Sequence, residues 1–330
     1  MRLLVTGGAG FIGTNFVRML LRERSAWHVT NLDALTYAGR RENLSEFEDQ
    51  SGSYRFVHGD IRDQILVRTL LAEIDAVVHF AAESHVDRSI RDATSFISTN
   101  VDGTRSLLDS LREVRPRARF IHVGTDEVYG DLPIDRPDLR FTETTLLAPH
   151  SPYSASKAAS DLLVLAYQHT FSVDACVTRC TNNFGPYQFP EKVIPLFTTR
   201  LLSGQSVPLY GDGCNVRDWL HVEDHCEAIL RVLEHGHSGH IYNIGGNNER
   251  SNLELTHALL RLTGRDERFI ERVPDRLGHD RRYAIDASKM KEQLGWRPSR
   301  SAWPEGLEAT VRWYRENESW WRPLLGKHSS

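Results

Sequence analysis

Gly8-Ala9-Gly10-Phe11-Ile12-Gly13 follows the apolar run Leu3–Thr6 and opens an amphipathic stretch, Phe11–Arg24. A Gly-x-Gly-x-x-Gly between a strand and a helix lets the turn tighten and the main chain approach a pyrophosphate, whose charge meets the helix N-terminus. Gly7 offers the alternative spacing Gly7, Gly10, Gly13. Asp33 stands twenty residues beyond Gly13, after the second β-rich run, where a carboxylate would accept both ribose hydroxyls. A 2′-phosphate would meet like charge there, so the pattern points to NAD.

Outward from this motif, β-rich runs alternate with helical patterns. The runs are Leu3–Thr6, Val29–Leu32, Arg55–His58, Ala76–Phe80, Phe120–Val123 and Ala175–Arg179; the helical stretches include Ile65–Ile74, Val101–Arg112 and Ala155–Phe171. The alternation predicts an α/β fold with a doubly wound parallel sheet of Rossmann type, in which ligands bind at the strands' carboxyl ends. Gly59-Asp60-Ile61 and Phe80-Ala81-Ala82 sit at two such ends, where they are either cofactor contacts or ordinary strand-to-loop turns. After Arg179 the character changes. Gly185-Pro186, Ile194-Pro195 and Tyr210-Gly211-Asp212-Gly213 punctuate the chain, so loops are expected to dominate before a helix near Asp224–His235 and a strand near His240–Ile244. Leu253–Leu262 and Trp303–Glu316 read as further helices. We expect a cofactor-binding domain over 1–178, rejoined by about 216–240, and a smaller α/β substrate domain from 179–215 and 241–330.

The chain's 330 residues are 40% hydrophobic and 25% charged, enough for a sizeable core and against disorder. Forty Lys and Arg are interspersed with 44 acids for a net charge of −4, which gives no bulk support for nucleic-acid binding. No run reaches the ~18 apolar residues of a membrane span, and the N-terminal apolar run meets glycines too early for a signal-peptide core. Four cysteines in a chain of this length suggest a reduced cytoplasm. Cys176 and Cys180 lack a second pair at zinc spacing, and His221-Val222-Glu223-Asp224-His225 misplaces the Glu of a His-Glu-x-x-His site. No metal is expected.

Tyr153-Ser154-Ala155-Ser156-Lys157 puts a phenol and an ammonium one helical turn apart. A phenol with a pKa near ~10 becomes a base near neutral pH only if a desolvated cation such as Lys157, or a nicotinamide's positive charge, favours the phenolate. The spacing recurs by chance, and alone it reads as a solvent-facing pair. Thr125-Asp126-Glu127 follows the fifth run. Adjacent carboxylates can divide acid and base duties when their pKa values are pushed apart; the alternative is a helix N-cap with first-turn acids.

Together these residues resemble the extended short-chain dehydrogenase/reductase family and, within it, the dTDP-glucose 4,6-dehydratases of deoxysugar biosynthesis. Thr6 through Gly13 and Tyr153-x-x-x-Lys157 carry the broader resemblance. The narrower one rests on Ala81-Ala82-Glu83-Ser84-His85-Val86-Asp87-Arg88-Ser89, Thr125-Asp126-Glu127-Val128-Tyr129-Gly130 and Arg179-Cys180-Thr181-Asn182-Asn183-Phe184-Gly185-Pro186-Tyr187-Gln188. Pro190-Glu191-Lys192-Val193-Ile194-Pro195-Leu196, Gly211-Asp212-Gly213-Cys214-Asn215-Val216-Arg217-Asp218-Trp219 and Gly295-Trp296-Arg297-Pro298 extend it along the whole chain. In Asp275-Arg276-Leu277-Gly278-His279-Asp280, Leu277 replaces the proline usual in that family.

The resemblance implies an enzyme that converts dTDP-glucose to dTDP-4-keto-6-deoxyglucose with a tightly held NAD regenerated in each cycle. Tyr153, helped by Lys157 and Thr125, would take the C4 hydroxyl proton as C4 is oxidised. Glu127 would remove the C5 proton, Asp126 would protonate the departing C6 hydroxyl, and C6 would then be reduced. Cofactor contacts implied are Gly7, Gly10, Phe11, Ile12, Gly13, Asp33, Ala34, Leu35, Thr36, Asp60, Ile61, Phe80, Ala81, Ala82, Glu83, Ser84, Thr99, Tyr153, Lys157 and Asn183. Substrate contacts implied are Ser84, Thr125, Asn182, Lys192, Val193, the backbone at Pro208, Leu209 and Tyr210, Arg217, Asn252, Asp275, Arg276, Leu277, Gly278 and His279. A homodimer joined near Val101–Leu111 and Ala155–Phe171 is also implied. The competing readings are a CDP- or GDP-sugar 4,6-dehydratase, a nucleotide-sugar 4-epimerase, which has no use for Asp126-Glu127, and a regulatory protein that binds NAD without turnover.

Overall fold

The computed structural model describes residues 1–48, 52–275 and 278–325. Strands β1 (Arg2–Thr6), β2 (His28–Asp33), β3 (Tyr54–His58), β4 (Ala76–His79), β5 (Arg119–Thr125) and β6 (Ala175–Cys180) form a parallel sheet. Beyond β6 come β7 (Asn182–Phe184), β8 (Val207–Tyr210), β9 (Val216–His221) and β10 (Ile241–Ile244), and β10 pairs in parallel with β6. The seven-stranded order is β10-β6-β5-β4-β1-β2-β3. Strand β1 pairs with β2 on one side and β4 on the other, so the order reverses there and a crevice opens at their carboxyl ends. The doubly wound Rossmann-type expectation holds.

Alternation along the strands builds two cores. Leu3, Val5 and Ile121 face the helices Phe11–Glu23 and Val222–His235, while Leu4 and Phe120 face Gln64–Leu71 and Thr104–Val114. All five are fully buried, and each burial is worth about 1.5–3 kcal/mol. Cys176 and Cys180 face the first core as free thiols. Among the described residues no three His, Cys, Asp or Glu side chains gather as a metal site, and no helix is long and apolar enough to cross a membrane.

The helix Pro152–Phe171 begins where its sequence directs. Ser151 accepts from Ser154 N, Ser154 Oγ accepts from Ser151 N, and Pro152 occupies the first turn, where its missing N–H costs nothing. This start places Tyr153 and Lys157 one turn apart beneath the ends of β5 and β6.

Past Arg179 the chain is more regular than its punctuation predicts. Strands β9, β7 and β11 (Glu249–Ser251) form a second sheet, and β8 pairs in parallel with β12 (Ile270–Val273). The helix Val193–Leu202 runs through Ile194-Pro195 because Pro195 falls in its first turn, where no intrahelical N–H bond is lost. Phe184, Trp219, Leu255 and Leu307 pack there in a third core.

The expected domain edges meet different strand assignments. Strand β9, expected to rejoin the large sheet, lies in the small one, and β10, expected on the substrate side, belongs to the large sheet. Met290, Leu294 and Trp296 also pack on the first core. The chain thus crosses between the layers twice more than those edges imply, because Leu307 and Val311 return to the third core after Trp296.

Candidate active site

A cavity of about 440 Å³ opens at the carboxyl ends of β1 and β4, lined by both apolar and polar side chains. At its nucleotide end Gly7 has φ +72°, and a Cβ there would stand 2.6 Å from Ala81 N; at Gly13 one would stand 2.3 Å from Gly7 O. Only glycine permits this closeness. The helix Phe11–Glu23 has no side-chain cap at Gly10 and no acid in its first turn, so its N-terminal amides and positive dipole end stay available to an anion. Asp33 Oδ2 accepts from Ala9 N at 2.9 Å and Oδ1 from Leu35 N at 2.8 Å, which ties the carboxylate to the glycine turn. Burial pushes Asp33 above the ordinary carboxylate range, with both amides opposing that shift. Each oxygen keeps a second lone pair for a hydroxyl. This cradle fits a dinucleotide such as NAD.

Of the expected cofactor residues, Gly7, Gly10, Phe11, Ile12, Gly13, Asp33, Ala34, Thr36, Asp60 and Ile61 line the cavity. So do Phe80, Ala81, Ala82, Glu83, Ser84, Thr99, Tyr153, Lys157 and Asn183. Leu35 does not; it turns the chain at φ +49° and contributes its backbone N–H to Asp33. Thr99 sits on a π-helical segment, Ile97–Gly103, whose wider turn points Asn100 inward. Asn100 holds the Glu83 backbone at both N and O and donates to Ser156 Oγ at 2.8 Å, which joins the cavity wall to the Tyr153 helix.

At the chemical end Tyr153 and Lys157 are both buried, not solvent-facing. Burial pushes the Tyr153 phenol well above its ordinary value, Glu127 and Asp126 push the same way, and a hydrogen bond with Thr125 opposes them. The expected lowering by Lys157 is therefore not what the chain alone supplies. Lys157 Nζ donates to Val123 O at 2.8 Å, and burial lowers it while Asp161 raises it. Thr125, rather than Lys157, is the group bonded to the phenol.

Thr125 ends β5 and caps the 3₁₀ turn Asp126–Tyr129 by accepting from Glu127 N at 3.3 Å. The capping alternative is thus real, yet the same turn places both acids in the cavity wall. Asp126 is 2% exposed, and its Oδ2 has no partner among the described residues. Burial raises it well above the ordinary carboxylate range; Glu127 and Asp218 add to this, and Arg217 opposes. Burial and its acidic neighbours thus favour the protonated form of Asp126. Glu127 is half-buried beside it.

Ser84, Asn182 and Lys192 line the same cavity; Asn182 Oδ1 is buried without a partner among the described residues, and Lys192 Nζ donates to Ser84 O at 3.1 Å. Val193 starts the next helix and lies outside the cavity lining. The remaining expected substrate residues form a neighbouring cluster. Arg217 Nη2 donates to Asp280 O at 2.8 Å and its guanidinium lies 4.2 Å over the Tyr283 ring. Asn215 donates to the same carbonyl and accepts from Asn252 N, and His279 lies 2.6 Å from Asp275 and faces the Tyr210 ring. Gly278 turns at φ +61°, and on β8 Leu209 is buried while Tyr210 is exposed. Arg276 and Leu277 lie outside the described residues. The cluster adjoins the acids, since Arg217 acts on Asp126 and Glu127 on Tyr283.

Sequence reasoning missed Tyr37 and Glu191, both of which line the cavity. Tyr37 OH donates to Glu191 Oε1 at 2.9 Å, Arg88 stacks 3.7 Å from the Tyr37 ring, and His85 lies 3.5 Å from Glu191. Glu191 adjoins Lys192 in a stretch already singled out, but nothing in that stretch shows that it meets Tyr37.

Residues 4–309 match a family model described as GDP-mannose 4,6 dehydratase. A dTDP-glucose 4,6-dehydratase of Streptomyces niveus is 53% identical over 98% of this chain and 96% of its own length. The crystal structure of DesIV, a dTDP-glucose 4,6-dehydratase of Streptomyces venezuelae with NAD and TYD bound, superposes with a TM-score of 0.94 at 53% identity, covering 98% of this chain and all of that one. The UDP-glucose 4-epimerase of Thermotoga maritima with UDP-glucose gives 0.87 at 31% identity, over 96% of this chain and 99% of that one. The chain belongs to the dTDP-glucose 4,6-dehydratase family.

Proposed function

We propose that this chain is an NAD-dependent hydro-lyase that converts dTDP-glucose to dTDP-4-keto-6-deoxyglucose. The observation that carries the reading is the buried Asp126, whose proton its surroundings favour, beside Glu127 in the cavity that also holds Tyr153, Lys157 and a glycine cradle. Dehydration across C5–C6 needs a base for the C5 proton and an acid for the C6 hydroxyl, whereas a 4-epimerase needs neither. In our assignment Tyr153 takes the C4 hydroxyl proton, with Thr125 bonded to the phenol and Lys157 as the nearby cation. Glu127 takes the C5 proton, made acidic by the neighbouring ketone. Asp126 delivers its proton to the C6 oxygen, which departs as water rather than as hydroxide. NAD, when bound, supplies the acceptor for C4 hydride and its return to C6, so the overall conversion is redox-neutral.

Lys192 and Arg217 supply positive charge for a nucleotide diphosphate, which a chain of net charge −4 must neutralise locally. The cofactor-side layer and the smaller β7–β9–β11 side are the two domains of our reading, with the cavity between them. We assign the enzyme to the cytoplasm and to a homodimer through 101–111 and 155–171, where Leu162 and Phe171 are 56% and 44% exposed. Sedimentation as a monomer at micromolar concentration would remove the dimer. The test of function is incubation with dTDP-, UDP-, CDP- and GDP-glucose, following the alkaline absorbance of a 4-keto product. Turnover restricted to dTDP-glucose supports the reading; preference for GDP- or CDP-glucose replaces the substrate; C4 inversion without water loss replaces the reaction.

A further inference from the structure

Behind Tyr153 and Lys157 lies a buried charge network that none of these steps uses. Asp161 follows Lys157 by one turn of its helix and is fully buried, and Arg179 Nε on β6 donates to its Oδ2 at 2.8 Å. His122 on β5, also fully buried, brings Nε2 to 3.3 Å from Asp161 Oδ1, an oxygen with no other partner among the described residues. The same Nε2 lies 3.5 Å from Lys157 Nζ, and His122 Nδ1 has no partner among the described residues. Gly124 makes room for the carboxylate: a Cβ there would stand 3.0 Å from Asp161 Oδ1.

One imidazole nitrogen thus faces a carboxylate and an ammonium. It can give a hydrogen to Asp161 or accept one from Lys157, but not both. With the hydrogen on Nε2, Asp161 Oδ1 gains a donor, Lys157 keeps Val123 O, and the single unmatched group is the Nδ1 lone pair. With the hydrogen on Nδ1, a buried N–H and a buried carboxylate oxygen are both left without partners. The first arrangement strands fewer groups and wins.

We propose that Asp161 and His122 are positioning residues for the oxidation step: Asp161, anchored by Arg179, holds His122 as the Nε2–H tautomer, which offers Lys157 no inward acceptor and keeps its ammonium directed at the cavity. The inference rests on Lys157 serving as the cation beside Tyr153. Asp161 from its own helix and Cys180 from β6 act on Lys157, and Lys157 acts in turn on His122 from β5 and His79 from β4; Arg179 stands beyond Asp161 and Asp126 beyond Cys180. Burial favours the uncharged forms of His79, Cys180, Tyr153 and Asp126, and it lowers His122 to about 4. Among the described residues Asp161 is therefore the carboxylate paired with Arg179 and acting on Lys157.

Two measurements test this. In the wild-type holoenzyme labelled with ¹⁵N-histidine, NMR at neutral pH should show His122, assigned by the signal lost in His122→Gln, as the neutral Nε2–H tautomer. A neutral Nδ1–H tautomer or an imidazolium overturns the proposal, and this reading needs no variant at position 161 to fold. Second, Asp161→Asn removes the counter-charge and frees the imidazole to accept from Lys157. On mixing the holoenzyme with dTDP-glucose, the rate of reduced-nicotinamide absorbance should keep its rise with pH but displaced upward by about one unit. That is roughly a tenfold loss on the rising limb, recovering at high pH. Binding of dTDP-glucose should stay within about twofold. Asp161→Asn/Arg179→Met, which strands no guanidinium, should show the same displacement. An unmoved profile, or an equal loss at every pH, overturns the proposal. If Tyr153→Phe still oxidises the sugar, the functional reading itself fails; if Tyr153→Phe is inactive while the Asp161→Asn profile stays put, only the positioning role fails.

Discussion

Tyr153 and Lys157 stand at the start of a 20-residue helix fixed by a reciprocal serine cap, whereas Asp126 and Glu127 ride on a four-residue 3₁₀ turn. Both pairs share one cavity, and burial raises one member of each, Tyr153 and Asp126. Its consequences are opposite. For an acid the shift is the function: water exclusion and neighbouring carboxylates leave Asp126 holding the proton it must deliver. For a base the shift is an obstacle, so Tyr153 needs Thr125, a nearby ammonium and the support behind it. The elimination end therefore draws its acid from burial and neighbouring charges alone, and the oxidation end is layered.

The sharpest way to break this comparison is Tyr153→Phe. The phenolic oxygen is lost while the glycine cradle is untouched, so NAD should remain bound and oxidation should fall to the upper end of general-base effects, about 10⁴-fold. Reduced-nicotinamide absorbance appearing at the wild-type rate on mixing with dTDP-glucose would remove Tyr153 as the base.

Asp126→Asn should act later and less. It keeps shape and most hydrogen bonding but carries no transferable proton. Oxidation should survive, reduced nicotinamide should accumulate on the enzyme, and product should slow by about 10²–10⁴-fold. Single-turnover absorbance paired with mass spectrometry of the sugar separates the outcomes: dehydration at the wild-type rate sinks the acid assignment, and absent absorbance moves residue 126 to the oxidation step. Glu127→Gln should also allow oxidation but lower the exchange of the C5 proton with solvent deuterium, and undiminished exchange would assign that proton to another group.

The two ends should also respond to pH in opposite senses. Tyr153 acts without its proton, so the oxidation phase rises with pH. Asp126 acts with its proton, so elimination is complete below its raised pKa and falls as pH climbs through it, by at most about tenfold per unit. The falling limb should vanish in Asp126→Asn. A limb that persists there belongs to a different acid.

How much of this was readable in the sequence follows the same division between local and assembled. The glycine turn, Asp33 and the Tyr153 pair are contiguous motifs at strand ends or a helix start, and one helical or strand period is enough to place them. Strands β7 and β11 have three residues each, too short for periodicity, and their register with β9 depends on partners more than 30 residues away. The crossing of β10 back to the large sheet is likewise set by pairing with β6. Asp126 and Glu127 could be seen as a pair, but which one holds a proton depends on Asp218 and Arg217 folding against them. His122 read only as one residue of a buried strand.

The smallest test asks whether the oxidation end depends on its helix start. Ser151→Ala removes the oxygen that accepts from Ser154 N at 3.1 Å, and with it one half of the reciprocal cap. Such losses cost about 1 kcal/mol, within a range of about 0.5–2. The helix will still form, because Val164 and other buried residues on it pack against the sheet. Its first turn, which carries Tyr153, should fray more often, and the phenol should leave Thr125 for part of the time. We expect a urea midpoint lowered by an amount equivalent to about 1 kcal/mol, a slightly slower oxidation phase, and an unchanged alkaline limb for elimination. That limb belongs to the 3₁₀ turn, which has its own cap in Thr125. If elimination slowed as much as oxidation, the two ends would be one mechanical unit, and the division between them would hold only for their charges.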